Sequence, residues 1–111
     1  MNIDQKSLHF ITDLKTSSQL ATKLALLIHA PQLIELVGDL GGGKTTFTKT
    51  LGKTLGVKQT ITSPTFNIHR SYKTKDGRLE HFDLYRLTDD EIVMNELKDC
   101  LACDDSVVVV E

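Results

Sequence analysis

The segment Gly38-Asp39-Leu40-Gly41-Gly42-Gly43-Lys44-Thr45 constrains the fold more than any other part of the chain, because it matches G-x-x-x-x-G-K-[ST] between a strand pattern and a helix pattern. Leu33-Ile34-Glu35-Leu36-Val37 reads as a strand with one polar interruption that runs straight into the glycines. Lys44 to Leu55 reads as the following helix, with Phe47, Leu51 and Leu55 on one face and Gly56 as its C-cap. In that setting the loop amides form a nest for phosphate oxygens, and the helix N-terminus adds positive potential. Gly41, Gly42 and Gly43 suit a place where Cβ atoms would obstruct the bend around phosphate. The expected ligand is a nucleoside triphosphate with Mg2+, and the candidate contacts are Gly38, Asp39, Leu40, Gly41, Gly42, Gly43, Lys44, Thr45 and Thr46. Lys44 is expected on the β- and γ-phosphates, Thr45 Oγ1 on Mg2+, and Thr46 near the α-phosphate. Asp39 reads as a local backbone acceptor rather than a catalyst.

The rest of the chain supplies elements for an α/β fold. From Gln19 to Ala30, Leu20, Ala21, Leu24, Ala25, Leu27 and Ile28 repeat at helical spacing, with Thr16, Ser17 and Ser18 as N-caps and Pro31 as the stop. Phe66 to Lys73 and Arg78 to Leu84 flank Lys75-Asp76-Gly77, which predicts a hairpin. Asp89-Asp90-Glu91 opens another helix, with Ile92, Leu97 and Leu101 as its expected buried face. Val107-Val108-Val109-Val110 lacks alternation, the pattern of a strand covered on both faces. Together these predict a P-loop NTPase-like, mainly parallel sheet flanked by helices in a three-layer sandwich, with an antiparallel hairpin at one edge. At 111 residues the chain is read as a single domain, 1–111.

Charge and cysteines narrow the partners. A formal charge of -2 gives no general attraction for a polyanion, so any nucleic acid is expected to be an indirect beneficiary. Asp4, Lys6 and His9 interrupt the first ten residues, so neither a signal peptide nor a membrane span is expected, and the compartment is read as the cytoplasm. Cys100 and Cys103 have C-x-x-C spacing but no second pair or nearby His, and are read as two reduced cysteines on or beside a short helix rather than as metal ligands. His29 and His69 show no metal-ligand spacing and are assigned to surface or loop positions.

Two carboxylates compete for the Mg2+ and catalytic roles. Glu111 follows four valines, at the C-terminal edge of a central strand; Asp83 follows Leu79, His81 and Phe82 and is a candidate either to hold a Mg2+-bound water or to polarise the attacking water. Thr62-Ser63-Pro64-Thr65 places hydroxyls on a proline-stiffened turn, so Thr65 is a candidate for Mg2+ or the terminal phosphate, with a plain hydrogen-bonded turn as the alternative. The candidate catalytic residues are thus Asp83, Lys44 and Thr65, and the candidate metal ligands Thr45, Glu111 and Asp83. His81 reads equally as a strand residue or as a neighbour of the site; Arg86 as a phosphate or partner contact or a solvated ion pair. Lys49, Lys53 and Lys58 read as a solvated face with a modest docking patch as the alternative.

Gly38 to Phe47, then Thr62-Ser63-Pro64-Thr65-Phe66, then His81-Phe82-Asp83-Leu84-Tyr85-Arg86-Leu87, resemble in that order the bacterial P-loop ATPases of tRNA threonylcarbamoyladenosine biosynthesis, the TsaE-type family. The likeness runs from about Ser17 to Glu111. It implies an ATPase that acts with a threonylcarbamoyl transferase of the sugar-kinase-like fold and that enzyme's inactive paralogue, resetting the assembly without itself modifying adenosine 37 of the tRNA. It further implies that Asp83 is the essential acid, that Glu111 matches the glutamate of the family's Glu-Trp motif and ligates Mg2+, that Thr65 lies in a switch-like loop, and that the stretch around Ser17 and Leu20 borders the adenine pocket. The family usually carries Ala where Gly42 stands, and it continues past Glu111 with Trp and further elements. The chain is therefore expected to lack C-terminal elements, to be weak as an isolated ATPase, and to self-associate through an exposed apolar edge.

Two other functions fit a phosphate loop: a small-molecule kinase, which would need an acceptor pocket or lid arginines, and a regulatory or scaffold protein that binds ATP with little turnover. A GTPase is disfavoured because no Asn-Lys-x-Asp segment is present.

Overall fold

Four consecutive valines give the molecule an inner strand, and the remaining elements arrange themselves around it. The computed structural model describes residues 14–36, 44–62, 68–84 and 91–111. Along the chain these form α1 (Leu14–Leu27), β1 (Gln32–Glu35), α2 (Lys44–Thr54), β2 (His69–Lys73), β3 (Arg78–Phe82), α3 (Glu91–Leu101) and β4 (Ser106–Val110). The strands make one sheet in the order β1-β4-β3-β2, with β4 parallel to both β1 and β3, and β2 antiparallel to β3. Register pairs Val107 with Gln32 and Leu79, and Val109 with Ile34 and His81.

Alternation along β3 and β4 sends side chains to two separate cores. Leu79, Val107 and Val109 pack with Ala21 and Ile28 at α1, Phe47 and Leu51 of α2, and Val57, Ile61 and Tyr72. Phe82 and Val108 pack on the other face with Val93 and Leu97 of α3. The result is α1 and α2 on one side, a mixed sheet in the middle, and α3 on the other, the P-loop NTPase-like sandwich anticipated from the sequence. Each fully buried Leu, Val or Phe of these cores contributes about 1.5–3 kcal/mol of burial free energy.

Helix ends follow local chemistry with two revisions. Gly56 adopts φ 97°, Val57 N–H bonds Gly52 O at 2.9 Å and Gly56 N–H bonds Lys53 O at 3.1 Å, the paired bonds of a Schellman C-cap. α1 spans Leu14–Leu27 rather than 19–30, so Thr16, Ser17 and Ser18 lie inside the helix and not at its cap. Ser18 instead turns its hydroxyl sideways, where Thr50 Oγ1 of α2 donates to it at 3.4 Å. In α3 the buried residues are Val93 and Leu97, while Ile92 is 72% exposed and Leu101 40% exposed. The four-residue step from 93 to 97 aligns those two on one stripe; Ile92, one position earlier, is rotated about 100° away.

The 74–77 connection closes the predicted hairpin, with Thr74 N–H on Gly77 O and Gly77 N–H on Thr74 Oγ1, each at 2.9 Å. A Cβ on Gly77 would stand 2.0 Å from Asp105 O, the carbonyl that accepts Arg78 N–H at 3.0 Å. Gly77→Ala is expected to destabilise the fold by about 1–3 kcal/mol through this backbone clash, read as a lowered melting temperature. An unchanged melt would mean that the 104–105 turn yields freely.

β1 ends the strand order and has no partner on its outer side among the described residues. Its Leu33 is 47% exposed, and Leu26 and Leu27 of α1 are 74% and 60% exposed. Among the described residues no helix is long and apolar enough to cross a membrane.

Candidate functional site

Parallel pairing brings the C-terminal ends of β1, β4 and β3 to one edge, where strand alternation decides which acids meet. The ladder continues one step past the strands: Leu36 N–H bonds Val110 O at 2.8 Å, Glu111 N–H bonds Phe82 O at 2.8 Å, and Leu84 N–H bonds Glu111 O at 3.1 Å. Extending the pairing of Phe82 with Val110 by one residue sets Asp83 beside Glu111. Both follow the parity of His81 and Val109, so they share the face covered by α1 and α2. The two carboxylates that competed for one role in the sequence are thus neighbours.

His81 joins them. It is fully buried, and its Nε2 lies 2.7 Å from Glu111 Oε2, whose side chain is only 8% exposed. This bond orients one carboxylate oxygen. His81 Nδ1 is buried without a hydrogen-bond partner among the described residues, an acceptor or donor position that a bound water or ligand group would satisfy. The signal in the sequence was the two-residue spacing of His81 and Asp83, which places both on one face of a strand.

The chain leaves this edge at Leu36 and re-enters described structure at Lys44, the first residue of α2. Lys44, Thr45 and Thr46 form its first turn, where backbone N–H groups have no helical acceptors and no acidic side chain offsets the positive end. All three are half-buried. Thr48 Oγ1 donates to Lys44 O at 3.0 Å within the same turn. Gly38, Asp39, Leu40, Gly41, Gly42 and Gly43 lie outside the described residues, as do Thr65 and Arg86.

The residues on either side of the segment that carries Thr65 are held by hydrogen bonds, the second of them to one of the acids. Thr62 N–H lies 3.4 Å from the Tyr72 hydroxyl, and Ile68 O accepts Asp83 N–H at 2.7 Å. Ile68 has φ 65°, a conformation that β-branched residues rarely hold. It is pinned there by the bond to Asp83 and by packing against the core around Phe82. The segment and the acid therefore share one backbone connection.

Hydroxyl and carboxylate oxygens from Thr45, Glu111 and Asp83 are the hard donors that Mg2+ takes, so the residues present fit that ion. Lys49, Lys53 and Lys58, by contrast, are exposed and border an open hollow beside Val57 and Ile61, on the solvent face expected of them. His29 is exposed as expected, whereas His69 belongs to β2 and packs flat on Phe82 with ring centroids 4.0 Å apart. Its assignment to a surface or loop fails because strand pairing folds it against α3.

Comparison with known proteins bears on this edge. Residues 11–111 match the family model described as threonylcarbamoyl adenosine biosynthesis protein TsaE. Similar curated proteins are the tRNA threonylcarbamoyladenosine biosynthesis proteins TsaE of Streptomyces coelicolor, 45% identical over 84% of this chain and 64% of that protein, and of Nostoc, 39% identical over 88% and 60%. That of Aquifex aeolicus is 47% identical over 64% of this chain and 55% of its own length. The chain thus spans between 55% and 64% of these relatives. The crystal structure of Bacillus subtilis YdiB superimposes with a TM-score of 0.69 at 26% identity, over 90% of this chain and 60% of YdiB. With the family model matched from residue 11 to residue 111 and the same fold in YdiB, the chain belongs to the TsaE family of threonylcarbamoyl adenosine biosynthesis proteins.

Proposed function

We propose that the chain binds ATP with Mg2+ at the 38–46 segment and hydrolyses it, in support of threonylcarbamoyladenosine formation at position 37 of tRNA. The observation that carries this reading is the pairing of Asp83 with Glu111 at the edge where β1 leads into the phosphate-loop sequence. Lys44 contacts the β- and γ-phosphates, and the amides of the first turn of α2 complete their cradle. Thr45 and Glu111 hold Mg2+, which neutralises charge on the phosphates when bound. His81 keeps the Glu111 carboxylate in place. Asp83 accepts the proton of the attacking water, and its backbone tie to Ile68 relates that acid to the Thr65 segment.

The names of the relatives supply the pathway; the partners proposed with it, as the family resemblance implies, are a threonylcarbamoyl transferase and its inactive paralogue, with tRNA reached only through them. Such work belongs in the cytoplasm. The test is phosphate release from Mg2+-ATP by this chain with and without the transferase pair. Stimulation by the pair is the expected result. Tight ATP binding without release in either case would favour a regulatory nucleotide-binding protein; transfer to a small alcohol would favour a kinase.

A further inference from the structure

On the face of the sheet opposite the nucleotide site, three side chains distant in sequence converge. His69 of β2, Glu80 of β3 and Cys100 in the last turn of α3 have ligand-type atoms within 4.8 Å of one another. Antiparallel register pairs His69 with Phe82 and Ser71 with Glu80, and strand parity points all four toward α3. Cys100 reaches them because it follows Val93 and Leu97 by seven and three residues, on the buried stripe of the helix.

Each member is already held. Glu80 is only 4% exposed; its Oε1 accepts the Ser71 hydroxyl at 2.8 Å, and its Oε2 lies 2.5 Å from His69 Nε2. His69 Nδ1 lies 3.3 Å from Glu96 Oε2, and the imidazole is stacked on Phe82 with an interplanar angle of 5°. A histidine whose second nitrogen is held by a carboxylate is the arrangement that fixes the tautomer and ring of a metal ligand. Val93, Leu97 and Val108 form an apolar wall around it.

We propose that His69 Nε2, a Glu80 carboxylate oxygen and Cys100 Sγ bind a thiophilic divalent cation such as Zn2+, with Glu96 orienting His69 and water in the fourth position. One nitrogen, one sulfur and one oxygen suit tetrahedral Zn2+, whose bond lengths set ligand spacings of about 3.3–3.6 Å. His69 and Glu80 separate slightly and Cys100 closes in to reach that geometry. Cys103 stays outside the sphere: it is exposed, and its Sγ is 3.3 Å from Asp99 O.

Without a cation, burial first and the Glu80 carboxylate second push the Cys100 thiol up to about 11, so the thiol is protonated at neutral pH. The site is independent of the nucleotide reading, since none of its ligands lies at the 83/111 edge.

The test is titration of the reduced chain with Co2+, without nucleotide, read by absorbance. One equivalent is expected to produce tetrahedral d–d bands and a thiolate-to-cobalt charge-transfer band, both abolished by added Zn2+. Cys100→Ser and His69→Asn are each expected to lose the charge-transfer band while keeping the far-ultraviolet circular dichroism of the parent chain. Cys103→Ser is expected to retain it, and Glu96→Gln to weaken binding about 10- to 100-fold. A thermal melt gives an independent readout, with Zn2+ raising the melting temperature of the parent chain but not of Cys100→Ser. Absence of the band at one equivalent, or its survival in Cys100→Ser, would overturn the proposal and leave a buried Glu80 satisfied by imidazole, hydroxyl and thiol donors alone.

Discussion

Asp83→Asn is expected to lower phosphate release from Mg2+-ATP by about 10²- to 10⁴-fold, the range for loss of a general base, with little change in the fold. Asn preserves the size of the side chain but cannot take a proton from water. The backbone bond from Asp83 N–H to Ile68 O, at 2.7 Å, survives the substitution, so the segment leading to Thr65 keeps its anchor. Nucleotide affinity should change little if the acid acts on water alone. Phosphate release and nucleotide binding, measured on the same preparation with the transferase pair present, separate the two effects. Full release by Asp83→Asn together with loss in Glu111→Gln would transfer the proton-accepting role to Glu111, the neighbouring acid held by His81.

Lys44→Ala is expected to remove most of the thermal stabilisation that nucleotide confers. With free nucleotide at about 100 times its dissociation constant, a ligand that binds only the folded chain stabilises it by about 2.7 kcal/mol. For a domain near this size that corresponds to a melting shift on the order of 10 °C. Lys44 contributes a positive charge at the start of α2, where no other side chain of the first turn is cationic. Ala is the best helix former, so the nucleotide-free melt should remain near that of the parent chain. A nucleotide-induced shift of full size in Lys44→Ala would remove the phosphate loop from the proposed function.

Most elements were legible because their signals are local. The periodic Phe47 and Leu51, the capping Gly56, the Lys75-Asp76-Gly77 turn and the four valines each act within a few residues of themselves, and each appears where the pattern places it. The errors arose where a side chain had two uses. Ser18 offers the same hydroxyl to a helix cap or to Thr50 of a neighbouring helix, and only the packing of α1 on α2 selects the second. Ile92 and Val93 are equally apolar, and the angle at which α3 meets β4 decides that Val93 is the buried one.

The same division holds for the sites. G-x-x-x-x-G-K-[ST] between a strand and a helix is a contiguous signal, so Lys44, Thr45 and Thr46 could be named as candidates without coordinates. Asp83 and Glu111 could be named but not related, since their adjacency depends on β3 and β4 pairing in parallel with Phe82 opposite Val110. His69, Glu80 and Cys100 could not be associated at all: the C-x-x-C spacing drew attention to Cys103, while the structure brings Cys100 to a histidine 31 positions away. The sequence by itself determined the elements and the α/β class of the fold, because hydrophobic period, capping and glycine content act along the chain. Tertiary structure alone decided which acid stands beside which, which histidine holds Glu111, and what meets Cys100, because strand register and helix packing are summed over the whole fold.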